Sequence, residues 1–438
     1  MLCFSSHLKP NTSINTTLVN IRHSYYDLDS TDFDSINKYL SGLVEKCIFD
    51  LSCSGCIIVS EDHKVEATTL GRIASYYYLN HKTVKMFQEE LNEKSGIKEL
   101  LNILSKAQEY AELPVRHNED QLNSDLAKQV PLEVNSHTFD SSHTKTHLLL
   151  QAHFSGITLP SSDYYTDTKS VLDQAIRILQ AMLDTCADQG WVVTSLYVIN
   201  LLQMVIQGHW CNKNTLLTLP HVMPYHLNCF RISKKGGHHE VLDSLPELIA
   251  VTDGKFEFLL DMLKGEMTHG HIEQVYQVLT KLPQLEVNLK VKNSNSEGSG
   301  QIESIPVLIS KSDSSHLSRK WIKVFTDQEY TLQVKLTRIN KSGKSDSKAY
   351  SPKFPKVKDE GWFLVIGDIE NRELIALKRV TCQSNQSHPQ VAFFTPELSG
   401  RVIYTLYLMS DSYLGIDQQF DICLDVIPSP PLAESKIN

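Results

Sequence analysis

No uninterrupted apolar run in this 438-residue chain reaches the roughly 18 residues that a membrane-crossing helix needs. No helical span is therefore expected, and no membrane among the partners. The opening Met1-Leu2-Cys3-Phe4-Ser5-Ser6-His7 has neither a basic n-region nor a long apolar h-region, so it does not read as a secretory signal. Cysteine builds no framework: the nine are odd in number and scattered, as suits thiols in a reducing compartment. Positive charge is short as well. Against 51 Asp and Glu there are 42 Lys and Arg, giving a formal net charge of −9. That balance argues against a free-standing binder of nucleic acid by bulk charge. It leaves room for a surface that uses stacking and hydrogen bonds.

Chemical motifs are missing too. The chain has no GxxxxGK[ST] phosphate loop and no DExH-type acidic box after an apolar strand. Without an amide cradle and a magnesium-holding acid, the usual helicase-type ATP hydrolysis is excluded for these residues. HExxH and GxSxG are absent as well. The reading is a non-enzyme with no catalytic residue, no metal and no cofactor.

At about 100–200 residues per domain, the length suggests about three domains. Residues 1–20 are polar and aperiodic. From Ser30 or Thr31, either of which is a candidate helix cap, Phe33, Ile36, Leu40, Leu43, Val44, Cys47 and Leu51 recur at steps of three and four. Two short strands follow, Cys56-Ile57-Ile58-Val59 and Val65-Glu66-Ala67-Thr68, and then Leu70-Gly71-Arg72-Ile73-Ala74-Ser75-Tyr76-Tyr77-Tyr78. Helix, two-stranded wing and helix make a winged-helix arrangement with its front part missing. Helical periodicity then covers 84–91, 97–110, 144–154, 171–187 and 193–207, and shorter helical pieces fill 211–280. Near Leu282-Pro283 the period changes. Strands are predicted at 287–291, 322–325, 330–336, 362–366, 373–380, 390–394, 402–409 and 420–426, the spacing of an all-β sandwich of immunoglobulin or fibronectin type.

Several residues invite a chemical reading. Cys53-Ser54-Gly55-Cys56, with Cys47 nearby, is a single CxxC; a structural zinc needs a second pair, so ordinary thiols are favoured. His143 and His147 share a helical face with His153 beyond, but no carboxylate or Cys completes a metal set, and packing is favoured. His238-His239-Glu240 reads as a solvated loop. Trp191 and Trp210 read as core anchors more than stacking platforms. In 165–188, Val171, Leu172, Ala175, Ile176, Ile178, Leu179, Met182, Leu183 and Cys186 fill one wide face at about 100° per residue. Asp173, Gln174, Arg177, Gln180, Ala181, Asp184 and Asp188 fall opposite. That front is either a plain solvated side or a lining for a single strand, with Arg177 holding phosphate or stacking on a base. Arg116, in Pro114-Val115-Arg116-His117-Asn118-Glu119-Asp120, is either a latch paired to Glu119 or Asp120 or, as the sharper alternative, a phosphate contact.

Taken in order, several blocks resemble the end of a cassette in the large two-cassette superfamily 2 helicases, which include the spliceosomal RNA helicase that unwinds paired small nuclear RNAs. The blocks are the Leu70 to Tyr78 and Leu113 to Asp120 stretches, His147-Leu148-Leu149-Leu150-Gln151-Ala152-His153, and Val171-Leu172-Asp173-Gln174-Ala175 through Gly190-Trp191. Leu202-Gln203-Met204-Val205-Ile206-Gln207-Gly208, Asp359-Glu360-Gly361-Trp362 and Met409-Ser410-Asp411-Ser412-Tyr413-Leu414-Gly415 complete the set. The resemblance runs from about Ser24 to Val426. It omits the motor domains, so the chain looks like a truncated or alternative product, or a fragment.

The resemblance implies a multidomain chain: a non-matching tail at 1–23, a partial winged helix at 24–88, a helical bundle with a "ratchet" helix at 89–210, a helix-loop-helix domain at 211–282, a fibronectin-like sandwich at 283–430, and a tail at 431–438. In related helicases the ratchet helix contacts the translocating strand, and it corresponds here to 165–188. Arg177 and Gln174, with Gln180 and Arg116, are the implied nucleic-acid-binding residues. The implied partners are single-stranded DNA or RNA, helicase motor domains and the other subunits of a cointegrator-type complex. The implied settings are alkylation repair and the disassembly of stalled ribosomes, in nucleus and cytosol. A translocation protein of the endoplasmic reticulum carries the same module without helicase function, so a pure docking scaffold is the rival. A translocon component is a third reading, weakened by the missing spans and J-domain motif.

Overall fold

The computed structural model describes residues 32–62, 64–233, 239–293, 303–305, 321–340, 348–381 and 385–429. The polar tails at both ends and residues 294–298 lie outside them. The described residues fall into two compact units, one of Met1–Glu90 with Ala107–Glu109, the other of Leu91–Lys106 with Tyr110–Asn438.

The first unit runs α1 (Phe33–Cys53), β1 (Ile57–Val59), β2 (Val65–Ala67), α2 (Thr69–Tyr76) and α3 (His81–Glu90). Helix α1 starts after Asp32, not at the Ser30 or Thr31 expected as caps. Among its residues only Ile36 is buried, so its apolar stripe is not a finished core face. Strands β1 and β2 pair antiparallel, Ile57 opposite Ala67. Thr68 caps α2: its hydroxyl accepts from the Gly71 amide at 3.0 Å and donates to the Gly55 carbonyl at 2.7 Å. Gly71 lies so close to the Cys56 backbone that a Cβ there would collide with it. Glu109 joins this unit because its carboxylate accepts from the Asn80 amide (2.8 Å) and the Thr83 hydroxyl (2.7 Å) at the start of α3.

The second unit begins with a bundle, α4 (Ile97–Ser105), α5 (Glu119–Ala127), α6 (Ser142–Ser155), α7 (Ser162–Asp188) and α8 (Val192–Gln207). Leu100, Leu104, Leu148, Leu149, Ile178, Leu179, Leu201 and Met204 have almost no exposure and form its interior. A hairpin, β3 (Arg231–Ser233) and β4 (His239–Val241), precedes three shorter helices, α9 (Leu245–Thr252), α10 (Phe256–Leu263) and α11 (His269–Lys281). The hairpin corrects the sequence reading: His239 and Glu240 are in a strand, not a solvated loop, while His238 lies outside the described residues.

The remaining strands are β5 (Leu285–Asn293), β6 (Glu303–Ile305), β7 (Ile322–Phe325), β8 (Glu329–Arg338), β9 (Gly361–Asp368), β10 (Glu373–Thr381), β11 (Gln386–Ser387), β12 (Gln390–Phe394), β13 (Gly400–Ser410) and β14 (Gln418–Ile427). One sheet is ordered β10-β9-β13-β14-β7, with β14 and β7 parallel; the other is β11-β8-β5-β6, with β12 also on β8. They pack face to face. Leu332, Val334 and Phe393 of one sheet share a core with Leu364, Leu406, Ile422 and Leu424 of the other, and the Phe393 and Tyr404 rings meet edge-on at 6.0 Å. Strands β5 and β7 alternate buried and exposed, as a half-covered strand must. Strand β9 is buried at every position, because the helical bundle covers its other face: a Cβ at Gly367 would strike the Val192 side chain of α8. The Leu374 amide of β10 donates to the Gly190 carbonyl at 2.7 Å, and Trp191 forms an antiparallel bridge with Glu373. The α7–α8 turn is thus stitched to the sheet edge. The chain is helical first and β after.

Candidate nucleic-acid interface

Helix α7 spans 27 residues, and its apolar stripe settles which way it faces. Val171, Leu172, Ala175, Ile178, Leu179, Met182, Leu183 and Cys186 are all buried. Ala181, expected on the polar front, is fully buried too. The rest of that front is not freely solvated: Gln174, Arg177, Gln180 and Asp184 are half-buried, and only Asp173 and Asp188 are exposed. The cause is the sandwich. Lys356 pairs with Asp173 at 2.5 Å. Arg379 of β10 donates to the Asp184 carboxylate at 2.6 Å and to the Gln180 carbonyl at 3.2 Å. Between these ties an open cleft of about 310 Å³ remains, lined by Asp173, Ile176, Arg177, Gln180, Phe354, Lys356, Val357 and Lys358. Arg177 Nε donates to Gln174 Oε1 at 2.7 Å, which steadies the guanidinium along the helix. Of the four site residues expected from sequence, Arg177 and Gln180 therefore line one wall of the cleft, and Gln174 reaches it only through its bond to Arg177.

Arg116 does not join them. Its Nη1 donates to Asp167 at 2.7 Å and to Glu119 at 3.0 Å, Nη2 reaches Asp167 at 3.3 Å, and Nε lies 3.5 Å from Asp163. Asp167 is ten residues before Arg177, about 15 Å along the helix at about 1.5 Å per residue. Behind Arg116 sits Lys145, with no exposure at all, bonded to Glu119 (2.6 Å), Asp167 (2.7 Å) and the Pro114 carbonyl (2.8 Å) and lying 4.6 Å from the Tyr164 ring centre. The hydrogen bonds that Arg116 donates to Asp167 and then to Glu119 hold its guanidinium firmly protonated. Burial alone would raise the Glu119 and Asp167 carboxyls. The hydrogen bonds from Lys145 and Arg116 outweigh it, and both are held below the usual carboxylate range. This is the latch of the two readings of Arg116, extended by a lysine. A guanidinium whose donors are already directed at carboxylates has little left for phosphate.

The other singled-out groups disperse. His143 Nδ1 meets the Ser105 carbonyl (3.0 Å), His153 Nε2 the Val205 carbonyl (2.9 Å), and His147 Nδ1 the Gln151 amide (3.3 Å). Burial holds His147 and His153 down at about 4, so both are neutral packing groups. Cys56 is buried and its thiol is pushed up by desolvation, whereas Cys47 and Cys53 are exposed. Among the described residues no group of three or more His, Cys, Asp or Glu could hold a metal. Trp210 is nearly buried, donates to Ser155 Oγ at 2.8 Å and packs edge-on against Phe154. Among the described residues no helix is long and apolar enough to cross a membrane.

Sequence reasoning missed a second polar site, a seam between α8 and the sandwich. Gln203, with no exposure, donates to the Ser410 carbonyl (2.7 Å) and to both Asp417 oxygens (3.1 and 3.0 Å). Gln207 donates to the Ser412 (2.6 Å) and Tyr350 (3.1 Å) carbonyls. The Ser410 amide closes on Asp417 at 2.7 Å. Desolvation pushes the Asp417 carboxyl up to about 7, against the pull of those two donors. Two glutamines four apart in the otherwise apolar last two turns of the helix, Leu201 to Gln207, were the available signal.

Comparison with known proteins now adds to the geometry. Residues 67–423 match the Sec63 Brl domain. The chain is 51% identical over 422 residues to activating signal cointegrator 1 complex subunit 3 of Gallus gallus, covering 94% of this chain and 19% of that protein. The Homo sapiens protein of the same name is 50% identical over 92% of this chain and 19% of its own length. The U5 small nuclear ribonucleoprotein 200 kDa helicase of Mus musculus is 32% identical over 92% of this chain and 17% of its own. The chain thus spans about a fifth of the length of these relatives. Matched over most of its residues, it belongs to the Sec63 Brl domain family.

Proposed function

We propose that this chain is the non-catalytic C-terminal accessory module of an ATP-dependent helicase, guiding a single strand along α7 and docking motor domains and other subunits of the cointegrator complex. The observation that carries the reading is Arg177 and Gln180 lining an open cleft, with Gln174 steadying Arg177, in a chain half identical to cointegrator complex subunits and related to a protein named as a helicase. A guanidinium and two amides recognise phosphate and base edges without a strong field, which fits a chain of net charge −9. The setting proposed is DNA alkylation repair and ribosome quality control, in nucleus and cytosol.

The test is fluorescence anisotropy of a labelled single strand with the full chain and its Arg177→Ala/Gln174→Ala variant. Weak, salt-sensitive binding that falls in the variant is expected. No binding by the parent chain at low salt removes the strand-guiding half and leaves the docking scaffold. That alternative is favoured by the ties of Asp173 and Asp184 to the sandwich, which narrow the front.

A further inference from the structure

The guiding reading uses one wall of the cleft and says nothing of the other. We propose that loop 351–358 of the sandwich is a second nucleic-acid-binding wall, and that Lys356 continues the Arg177 row along the phosphodiester backbone of one strand. The proposal rests on the reading of α7 given above. The loop reads Ser351-Pro352-Lys353-Phe354-Pro355-Lys356-Val357-Lys358, three lysines interleaved with an aromatic and stiffened by two prolines. Two of the lysines anchor it. Lys353 Nζ donates to the Gly208 carbonyl at 3.0 Å, and Lys358 pairs with Asp411 at 2.6 Å and bonds Ser412 Oγ at 3.1 Å. With both ends tied, Lys356 is aimed at the front of α7, yet its side chain remains 66% exposed. Phe354 and Val357 line the same cleft with Ile176, an apolar surface on which a base face can rest.

Spacing and charge favour a strand. Asp173 and Arg177 mark where Lys356 and Arg177 meet the front of α7, so the row extends about 6 Å at about 1.5 Å per residue. At roughly 3.4 Å per phosphate along a helical strand, that covers about two phosphates. Lys356 and Arg177 both border the cleft beside Asp173. Exposed ion pairs hold weakly, so a phosphate can take Lys356 from Asp173 without rebuilding the site. Asp173 then acts as a brake: removing its charge must strengthen strand binding, which a purely structural pair would not do.

The experiment titrates the full chain into labelled oligouridylate and oligothymidylate, with Lys356→Glu, Lys356→Gln, Asp173→Asn and Arg177→Ala compared to the parent. Thermal melts are expected to be nearly unchanged for the Lys356 and Asp173 variants, because their ion pair lies at the surface and such pairs contribute little. Lys356→Glu is expected to weaken binding about three- to ten-fold and Asp173→Asn to tighten it about two- to three-fold. Lys356→Gln should lower the log–log salt slope by about 0.7, one single-strand phosphate contact. If Arg177→Ala weakens binding while the Lys356 and Asp173 variants match the parent, the second wall is overturned and the α7 reading stands. Loss in Lys356→Glu without loss in Arg177→Ala supports the loop and removes α7 from the reading above. No binding by the parent overturns both. Displacement of the strand by polyglutamate as readily as by unlabelled oligouridylate points to an acidic protein partner and overturns the loop's assignment to nucleic acid.

Discussion

Lys145 is an ammonium without any solvent contact, held by two carboxylates and a carbonyl. Removing one partner of a buried pair strands the others, so Lys145→Ala is expected to cost about 3–5 kcal/mol, read by urea unfolding; a loss under about 1 kcal/mol would refute the latch. Its acids set one pH limit. Glu119 and Asp167 have lowered carboxyls, so their contribution is full above the ordinary carboxylate pKa of about 4. It disappears as pH falls through their lower folded values. Asp417 works in the opposite sense. Its folded pKa of about 7 means that its contribution is full below about 4 and is lost as pH rises through about 7. Asp417→Asn retains an acceptor for the Ser410 amide and removes the titrating carboxyl. Denaturation at pH 5 and pH 8 should therefore show the parent weaker at pH 8, and the variant nearly level. An equal drop in both would place the titrating group elsewhere.

At the scale of elements, the docking of α8 on β9 depends on the absence of a side chain at Gly367, where a Cβ would come within 2.5 Å of Val192 Cγ2. Valine is stiff about χ1 and cannot fold away, so Gly367→Ala is expected to destabilise by about 1–3 kcal/mol. Val192→Ala added to it should recover most of that loss; no recovery would mean the two elements are not in the contact described. How far such elements were legible depended on the range of the signal. Local patterns located α7 and α8, and the buried run Trp362-Phe363-Leu364-Val365-Ile366 located β9, because period and apolar continuity are properties of neighbours in sequence. Helix α5 was not among the predicted helices, since Leu122, Leu126 and the terminal Ala127 are its only apolar residues. The β3–β4 hairpin was missed because three residues are too few for alternation to register. The half-covering of the α7 front was not legible at all: Lys356 and Arg379 come from about 180 to 200 residues further along the chain, beyond any periodic reading. The site residues followed the same rule. Arg177, Gln174 and Gln180 share a helix face and were found together; Arg116 was grouped with them although Asp167 and Asp163 draw it to the other end of α7.

For the second unit as a whole, the question is whether bundle and sandwich unfold together. They are joined by the Gly190–Leu374 backbone bond, by Lys356–Asp173 and Arg379–Asp184 at the surface, and by the Gln203–Gln207 seam within. Surface pairs contribute little, so the seam must carry most of the polar coupling. Gln203 and Gln207 cannot be lost cheaply, because the carbonyls of Ser410, Ser412 and Tyr350 would be left without their donors in a dry interface, at about 1–3 kcal/mol each. Calorimetry of the full chain should therefore show the bundle and sandwich melting in one transition. Gln203→Leu/Gln207→Leu should lower that transition and separate it into two, since each half retains its own apolar core. Two transitions already present in the parent chain would mean that the seam only fastens neighbours, and that a pull on the sandwich through a docked partner does not reach α7.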